Sequence, residues 1–311
     1  MTNTITLLID GNNTIWRAHW KASKMVEPLV TSKGENTGCK YTFLNIIKSY
    51  VDQFNANNVF IAWDRKLLKE VNFRTTLTDG TYKGNRDQEK SKEVYSEVDG
   101  IIKLTESLGI KNIFPGKLEA DDVISWLSKT IPGKKIIISV DNDFAQLVAP
   151  DISHFSPNKN VIVDIVNFEN IHGVTPKEFL YYKAILGDVA DNIPGVEGFG
   201  KVKGKKLAKS YNLYKTTGQV DELVKEHEHL ITENLKLMDL SYGLDQFKEE
   251  IGLYSMQLAE LDKKMPNFSS FKQICADLEF NSILSDIDNW QAAFNKKANN
   301  NLLTEYFKSF E

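Results

Sequence analysis

Nine acidic residues fall in short groups along the chain: Asp10, Asp64, Glu119, Asp121, Asp122, Asp141, Asp143, Asp188 and Asp191. Several carboxylates gathered in one pocket cannot all ionise unless cations neutralise them. No Cys or His accompanies them, and an oxygen-only ligand set selects hard ions, Mg²⁺ or Mn²⁺, over zinc. Two such ions about 4 Å apart activate an attacking water and stabilise a leaving oxygen in phosphoryl transfer. The chemistry on offer is therefore phosphate-ester hydrolysis. Taken singly, each group has an ordinary explanation. Glu119-Ala120-Asp121-Asp122 opens an amphipathic pattern continued by Val123, Ile124 and Leu127, and acids at a helix start suit the helix dipole. An Asp after a strand is commonly a turn or N-cap residue. Asp188 and Asp191, three apart, share a side if they lie on one helical turn.

The elements that must gather these groups are legible as apolar runs. Ile5–Ile9 leads into Asp10, Val59–Trp63 into Asp64, and Ile136–Val140 into Asp141. Continuous runs rich in β-branched residues predict strands buried on both faces, hence parallel strands covered by helices. Helix-spaced residues lie between them: Leu44, Ile47, Val51 and Phe54, then Val94, Val98, Ile101, Thr105 and Leu108, stopped by Gly109. Strand alternating with helix predicts an α/β fold with a mainly parallel sheet flanked by helices. Ligands of such sheets bind outside the carboxyl ends of the strands, where the three aspartates fall. Thr175-Pro176-Lys177-Glu178 reads as a capping box with Pro at the first helical position, opening a helix that ends at Gly187. Residues 187–209 then turn to glycine and lysine, and the chain beyond 210 has a helical pattern. Residues 65–117 are the least sheet-like part of the first half, with a polar turn at Tyr82–Asp87 opening a helix over 87–108.

A chain of 311 residues suits one medium domain and a smaller one. The formal charge of −4 argues at first against a nucleic-acid partner. Setting the nine acids aside turns −4 into +5, so the rest of the molecule is mildly basic. Lys201, Lys203, Lys205, Lys206 and Lys209 lie in a stretch without an acid, and such a local run is what a phosphate backbone feels. Cys39 and Cys275 stand far apart and outside any metal-ligand spacing, which fits a reducing compartment. No apolar run approaches the roughly 18 residues that span a bilayer, and the first residues lack the marks of a signal peptide. The expectation is a cytoplasmic monomer without membrane contact.

Six motifs in order then resemble a known family: Ile9-Asp10-Gly11, Trp63-Asp64, Tyr82-Lys83-Gly84-Asn85-Arg86, Glu119-Ala120-Asp121-Asp122, Asp141-Asn142-Asp143, and Gly187-Asp188 followed by Asp191–Gly200. The set is similar to flap endonucleases, to the 5′-nuclease domain of bacterial DNA polymerase I, and to phage 5′-exonuclease/ribonuclease H enzymes of the T-even-like kind. The similarity covers about residues 5–210, and the phage or bacterial branch matches better than the cellular one. It implies a PIN-like 5′-nuclease fold with a helical arch and a helix-hairpin-helix element.

By position, the resemblance gives Asp10, Asp64, Glu119, Asp121 and Asp122 to the catalytic metal, and Asp141, Asp143, Asp188 and Asp191 to a second. It places Lys83 and Arg86 at the foot of the arch, on the scissile phosphate, where an ammonium and an arginine fork suit transition-state charge. It makes Ile193–Leu207 the DNA-binding hairpin. There Gly195, Gly198 and Gly200 let the backbone approach phosphates, Lys201, Lys203 and Lys205 add charge, and K⁺ assists. Lys183 is a further candidate for substrate contact. The implied partners are branched DNA and RNA–DNA duplex, with a single-stranded-DNA-binding protein and a sliding clamp as further candidates, the clamp reached through Leu303, Tyr306 and Phe307 in a helix-in-groove mode.

The expected units are a nuclease domain over 1–184 with the arch region at 65–117, a hairpin and helical region over 185–295, and a tail over 296–311. Two other readings compete: a non-catalytic binder of DNA junctions that keeps the fold, and a small-molecule phosphatase with an Asp nucleophile. So much negative charge beside DNA disfavours the first. The lysine-rich hairpin, idle in a phosphatase, disfavours the second.

Overall fold

The three aspartate-terminated runs become neighbouring strands. In the computed structural model, which describes residues 4–64, 72–78, 80–83, 89–262 and 265–295, β1 (Ile5–Asp10) lies between β2 (Asn58–Ala62) and β4 (Lys134–Ile138), parallel to both. Outside β2 runs β3 (Lys111–Ile113), and outside β4 run β5 (Ile152–Ser156), also parallel, and the antiparallel edge strand β6 (Val161–Val163). The sheet order is β3-β2-β1-β4-β5-β6. Strand β3 falls inside the segment read as least sheet-like, and its three residues are too few to leave a period.

Side chains alternate across the sheet. Leu7 and Ile9 of β1 face one core, and Leu8 faces the other. Full burial of each such side chain contributes about 1.5–3 kcal/mol. The first face is covered by α1 (Gly11–Ala22), α2 (Gly38–Phe54) and α5 (Val98–Ser107). The second is covered by α6 (Ala120–Thr130). Two short helices, α3 (Phe73–Leu77) and α4 (Glu89–Ser96), are the described helices of the arch region before α5. The single helix expected over 87–108 is divided into α4 and α5, because the Glu97 N–H bonds only three residues back, to the Val94 carbonyl, and tightens the turn. Gly109 stops α5 as read, with φ at 75°.

A third core sits beside the carboxyl edge of the sheet. It joins α7 (Phe168–His172), α8 (Pro176–Leu186), α9 (Lys201–Thr217) and α10 (Glu222–Met238) to Tyr82, Ala145 and Val148. The chain then returns to the sheet. Helices α11 (Tyr242–Gln246) and α12 (Lys248–Asp262) complete the second face, while α13 (Phe268–Asp277), α14 (Asn281–Ser285) and α15 (Ile287–Phe294) complete the first. The expected boundary at residue 184 therefore falls inside α8, and residues 185–295 do not pack as a unit of their own. Arg86 and the tail residues Leu303, Tyr306 and Phe307 lie outside the described residues. Among the described residues, no helix is long and apolar enough to cross a membrane.

Candidate active site

Each strand end delivers its aspartate through local hydrogen bonds. Asp10 ends β1 and caps α1: its Oδ1 accepts the Asn13 N–H at 2.9 Å, and its Oδ2 accepts the Ser139 hydroxyl at 2.8 Å. Residue 11 leaves no room for a side chain against the end of β2. A Cβ at Gly11 would meet the Trp63 ring at 2.7 Å and the Ala62 carbonyl at 2.8 Å. Asp64 follows β2 and accepts the Ala120 N–H at 2.7 Å, so the end of β2 fixes the start of α6. Asp141 follows β4 and caps the 3-10 turn Asn142–Leu147, accepting the Asp143 N–H at 2.8 Å. Asp188 and Asp191 do not share a helical turn as expected. They lie in a tight loop closed by paired Asp188–Ile193 backbone bonds, and Asp188 Oδ1 accepts the N–H groups of Ala190 and Asp191.

These turns converge on one pocket lined by Glu119, Asp121, Asp141, Asp143, Asp188 and Asp191, with Arg74, Tyr82 and Lys83 on its wall. Asp10 and Asp64 stand beside it, close enough to Asp121 to oppose its ionisation. Burial pushes the Asp10 carboxyl up to about 7, with Asp64 and Asp141 adding to the rise and hydrogen bonds from Asn13 and Ser139 opposing it. Burial, then Asp10 and Asp141, hold Asp121 well above the usual carboxylate range. Asp143 rises to about 6 through burial and the Asp141 charge.

The pocket thus holds more negative charge than its own lysines and arginine offset, and its donors are all oxygen. That is the chemistry a hard divalent cation relieves, so the residues fit such an ion. Among the described residues, no three acids converge as tightly as the ligand shell of one bound ion. Part of their capacity is spent on the capping bonds above.

Two of the nine acids behave differently from the rest. Glu119 accepts from Lys83 Nζ at 2.9 Å, Asn72 Nδ2 at 3.0 Å, and Arg74 Nη1 and the Tyr82 hydroxyl at 3.2 Å each. Burial alone would raise its pKa, but Lys83 and Arg74 outweigh that and bring it to about 2. Asp122, expected on the catalytic metal, does not face the pocket. It is fully buried, paired with Arg74 and bonded to the Glu119 N–H at 3.0 Å. Its place three residues after the N-cap turns the side chain back onto the helix end. Arg74, Asn72, Ser139 and Asn13 escaped the sequence reading because their partners are remote or ordinary in type. Tyr82 was visible in its motif, but not its bond to Glu119.

The basic candidates also separate. Lys83, with φ at 54°, turns its ammonium onto Glu119. Lys183, expected at the substrate, faces the acids instead, 2.8 Å from Asp143 Oδ1 and 3.4 Å from Asp188 Oδ2. Lys201 and Lys203 are exposed on the first turn of α9, behind Gly200 as its N-cap. Open space surrounds Gly198 and Gly200, as a close backbone approach requires. Gly195 differs: a Cβ there would lie 2.2 Å from the Leu186 carbonyl oxygen, so this glycine serves the packing of the hairpin against α8. Lys205 folds back over Gly173.

Comparison with known proteins bears on the family and the fold. The family model described as 5′-3′ exonuclease, N-terminal resolvase-like domain, matches residues 5–173. A 5′-3′ exonuclease of Buchnera aphidicola is 27% identical over 288 residues, covering 88% of this chain and 96% of that protein. One from Aquifex aeolicus is 27% identical over 294 residues, covering 90% and 94%. DNA polymerase I of Lactococcus lactis is 27% identical over 274 residues, and there the chain (84% of it) spans 29% of the longer protein. In fold, the chain resembles the bacteriophage T5 flap endonuclease solved with DNA and metal ions, with a TM-score of 0.61, 20% identity, and coverage of 88% and 99%. It also resembles flap endonuclease-1 from Methanococcus jannaschii, with a TM-score of 0.51, 14% identity, and coverage of 94% and 93%. With the family model matched over more than half of its length, the chain belongs to the 5′-3′ exonuclease family.

Proposed function

We propose that this chain is a divalent-metal-dependent, structure-specific 5′-nuclease that removes RNA primers and 5′ flaps from branched DNA and RNA–DNA duplex. One observation carries the reading: the carboxylate pocket at the carboxyl ends of β1, β2 and β4 opens beside Lys83 on one side and the loop that leads into the hairpin on the other. A phosphodiester reaching the carboxylates would lie against Lys83, while the duplex behind it meets Gly198, Gly200, Lys201 and Lys203. Mg²⁺ or Mn²⁺, two at a time, would supply an activated water and stabilise the leaving oxygen. Asp10, Asp64, Glu119 and Asp121 are the residues we assign to one ion, and Asp143, Asp188 and Asp191 to the other. We move Asp141, given to the second by the resemblance, to the first because its charge acts on Asp10 and Asp121, and leave out Asp122 because it pairs with Arg74.

This chain's own groups do the rest. Lys83 offers an ammonium to a non-bridging oxygen, and Glu119 holds that ammonium in place. Arg86 is assigned the same task from the resemblance of its motif. The positive end of α9 and its first lysines grip the backbone of the duplex, with K⁺ as a candidate bridging ion. We place the reaction in the cytoplasm, that of a host cell if a phage encodes the chain.

The test is cleavage of a 5′-flap DNA and of a 5′-RNA–DNA hybrid, each with Mg²⁺ and with chelator. Mg²⁺-dependent products released from the 5′ end support the assignment, and the preferred substrate separates flap processing from primer removal. Tight junction binding without cleavage under any divalent ion refutes it and leaves a binding module.

A further inference from the structure

Asp143 and Asp188 come from different elements, the 3-10 turn after β4 and the loop after α8, yet they share one ammonium. Lys183 Nζ stands 2.8 Å from Asp143 Oδ1 and 3.4 Å from Asp188 Oδ2, on a side chain that is 18% exposed. Its backbone is fixed in the last turn of α8, where its carbonyl accepts the Gly187 N–H at 2.9 Å and its neighbours Tyr182 and Ala184 are buried. Any change of position therefore belongs to the four-carbon stem, which is flexible and ends in a compact point charge. Asp10, Asp121 and Asp141 oppose one another's ionisation without sharing the Lys183 ammonium, and that repulsion is what a first cation would relieve.

We propose that Lys183 is an internal counter-ion holding the place of one cation: a divalent ion reaches Asp143 and Asp188 as the Lys183 ammonium swings out. This rests on the metal-dependent reading above and deepens it. A monovalent ammonium offsets one charge of the pair, whereas a divalent ion offsets both, so the exchange goes forward at sufficient ion concentration. The displaced ammonium remains tethered at the pocket rim, where a phosphate oxygen is its natural next partner. The two cation positions are thus unequal. The one served by Asp10, Asp121 and Asp141 fills without displacing Lys183, and the one served by Asp143 and Asp188 fills against it.

The experiment titrates Mn²⁺ into the metal-stripped full chain and counts free ion by electron paramagnetic resonance. The wild type is expected to show a tighter and a weaker class of site. Lys183→Met, and Lys183→Gln as the more soluble alternative, tighten the weaker class by about tenfold or more, the scale of losing a partly buried ion pair, and leave the tighter class unchanged. Lys183→Arg keeps the charge and keeps the weaker class weak. Asp188→Asn removes the weaker class in both backgrounds. Unchanged Mn²⁺ affinities in Lys183→Met and Lys183→Gln, or equal tightening of both classes, overturn the proposal while the metal-dependent reading stands. No Mn²⁺ binding to the wild type overturns both.

Discussion

The guanidinium of Arg74 grips both oxygens of Asp122, Nη1 to Oδ2 at 2.8 Å and Nη2 to Oδ1 at 2.7 Å, with both side chains buried. The same guanidinium donates to Glu119 and, through Nε, to the Leu237 carbonyl at 2.8 Å near the end of α10. One buried residue therefore ties the start of α6, an acid of the pocket and the hairpin's supporting helix together. Such a pair is costly to break from one side, because the survivor is left as an uncompensated buried charge.

Asp122→Ala is accordingly expected to lose stability, by about 3–5 kcal/mol in urea denaturation. Its Mn²⁺ stoichiometry, measured at a temperature where it stays folded, is expected to equal that of the wild type, since the carboxylate faces Arg74 and not the pocket. A variant that keeps its urea midpoint but loses a bound ion returns Asp122 to the metal ligands.

The hairpin glycines separate by what surrounds them. Gly195→Ala drives a methyl into the Leu186 carbonyl, backbone against backbone, and is expected to cost about 2 kcal/mol or more. Gly200→Ala enters open space at φ −79° and should shift stability by no more than about 1 kcal/mol. If the Gly200 backbone meets a phosphate, its added methyl still weakens duplex binding. Thermal melts of both variants, with duplex titrations of Gly200→Ala, separate packing from contact. Equal melts for the two variants contradict the distinction.

How much of this was legible in the sequence follows from distance along the chain. The aspartates after apolar runs, the capping box at Thr175 and the Gly109 stop are local patterns, and all appear in the structure. The place of Asp122 against Arg74 was not legible because capping and metal ligation ask for the same residue type at the same place. Only Arg74, 48 residues away, decides between them. The surroundings of Lys183 were hidden in a similar way. Its position on an amphipathic helix is visible, but that it turns toward Asp143 depends on how the loop after β4 lies against α8. Composition changes near residue 184, but that change does not report that α8 packs on both of its neighbours and that the last helices return to the sheet.

Lysines along α9 are expected to contribute unequally to duplex binding. Lys201 is exposed beside the open backbone of Gly198 and Gly200, whereas Lys205 lies over Gly173. Lys201→Ala should weaken binding across sequences alike and lower the slope of log affinity against log salt by about 1. Lys205→Ala should change that slope less. Fluorescence titrations at several salt concentrations give both slopes, and a Lys201→Ala slope equal to the wild type's removes Lys201 from the interface.

Acid sensitivity is expected from His172. Its ring packs between Phe168 and Phe179, with centroid distances of 4.5 Å and 4.8 Å. Burial, with His154, Lys159 and Lys205 adding like charge, lowers its pKa from 6.5 to about 4. Between those values the unfolded chain binds a proton that the folded chain refuses, so this contribution to stability is complete above 6.5 and is lost as pH falls toward 4. Asp10 and Asp143 titrate in an overlapping window with the opposite sign, since their folded-state pKa values are raised to about 7 and about 6. The raw pH profile therefore mixes the two effects. The difference between wild type and His172→Phe isolates the histidine: the urea midpoint of the wild type should fall relative to that of the variant on acidification through this window. Parallel profiles would mean that the ring is protonated as easily in the folded protein as in the unfolded chain.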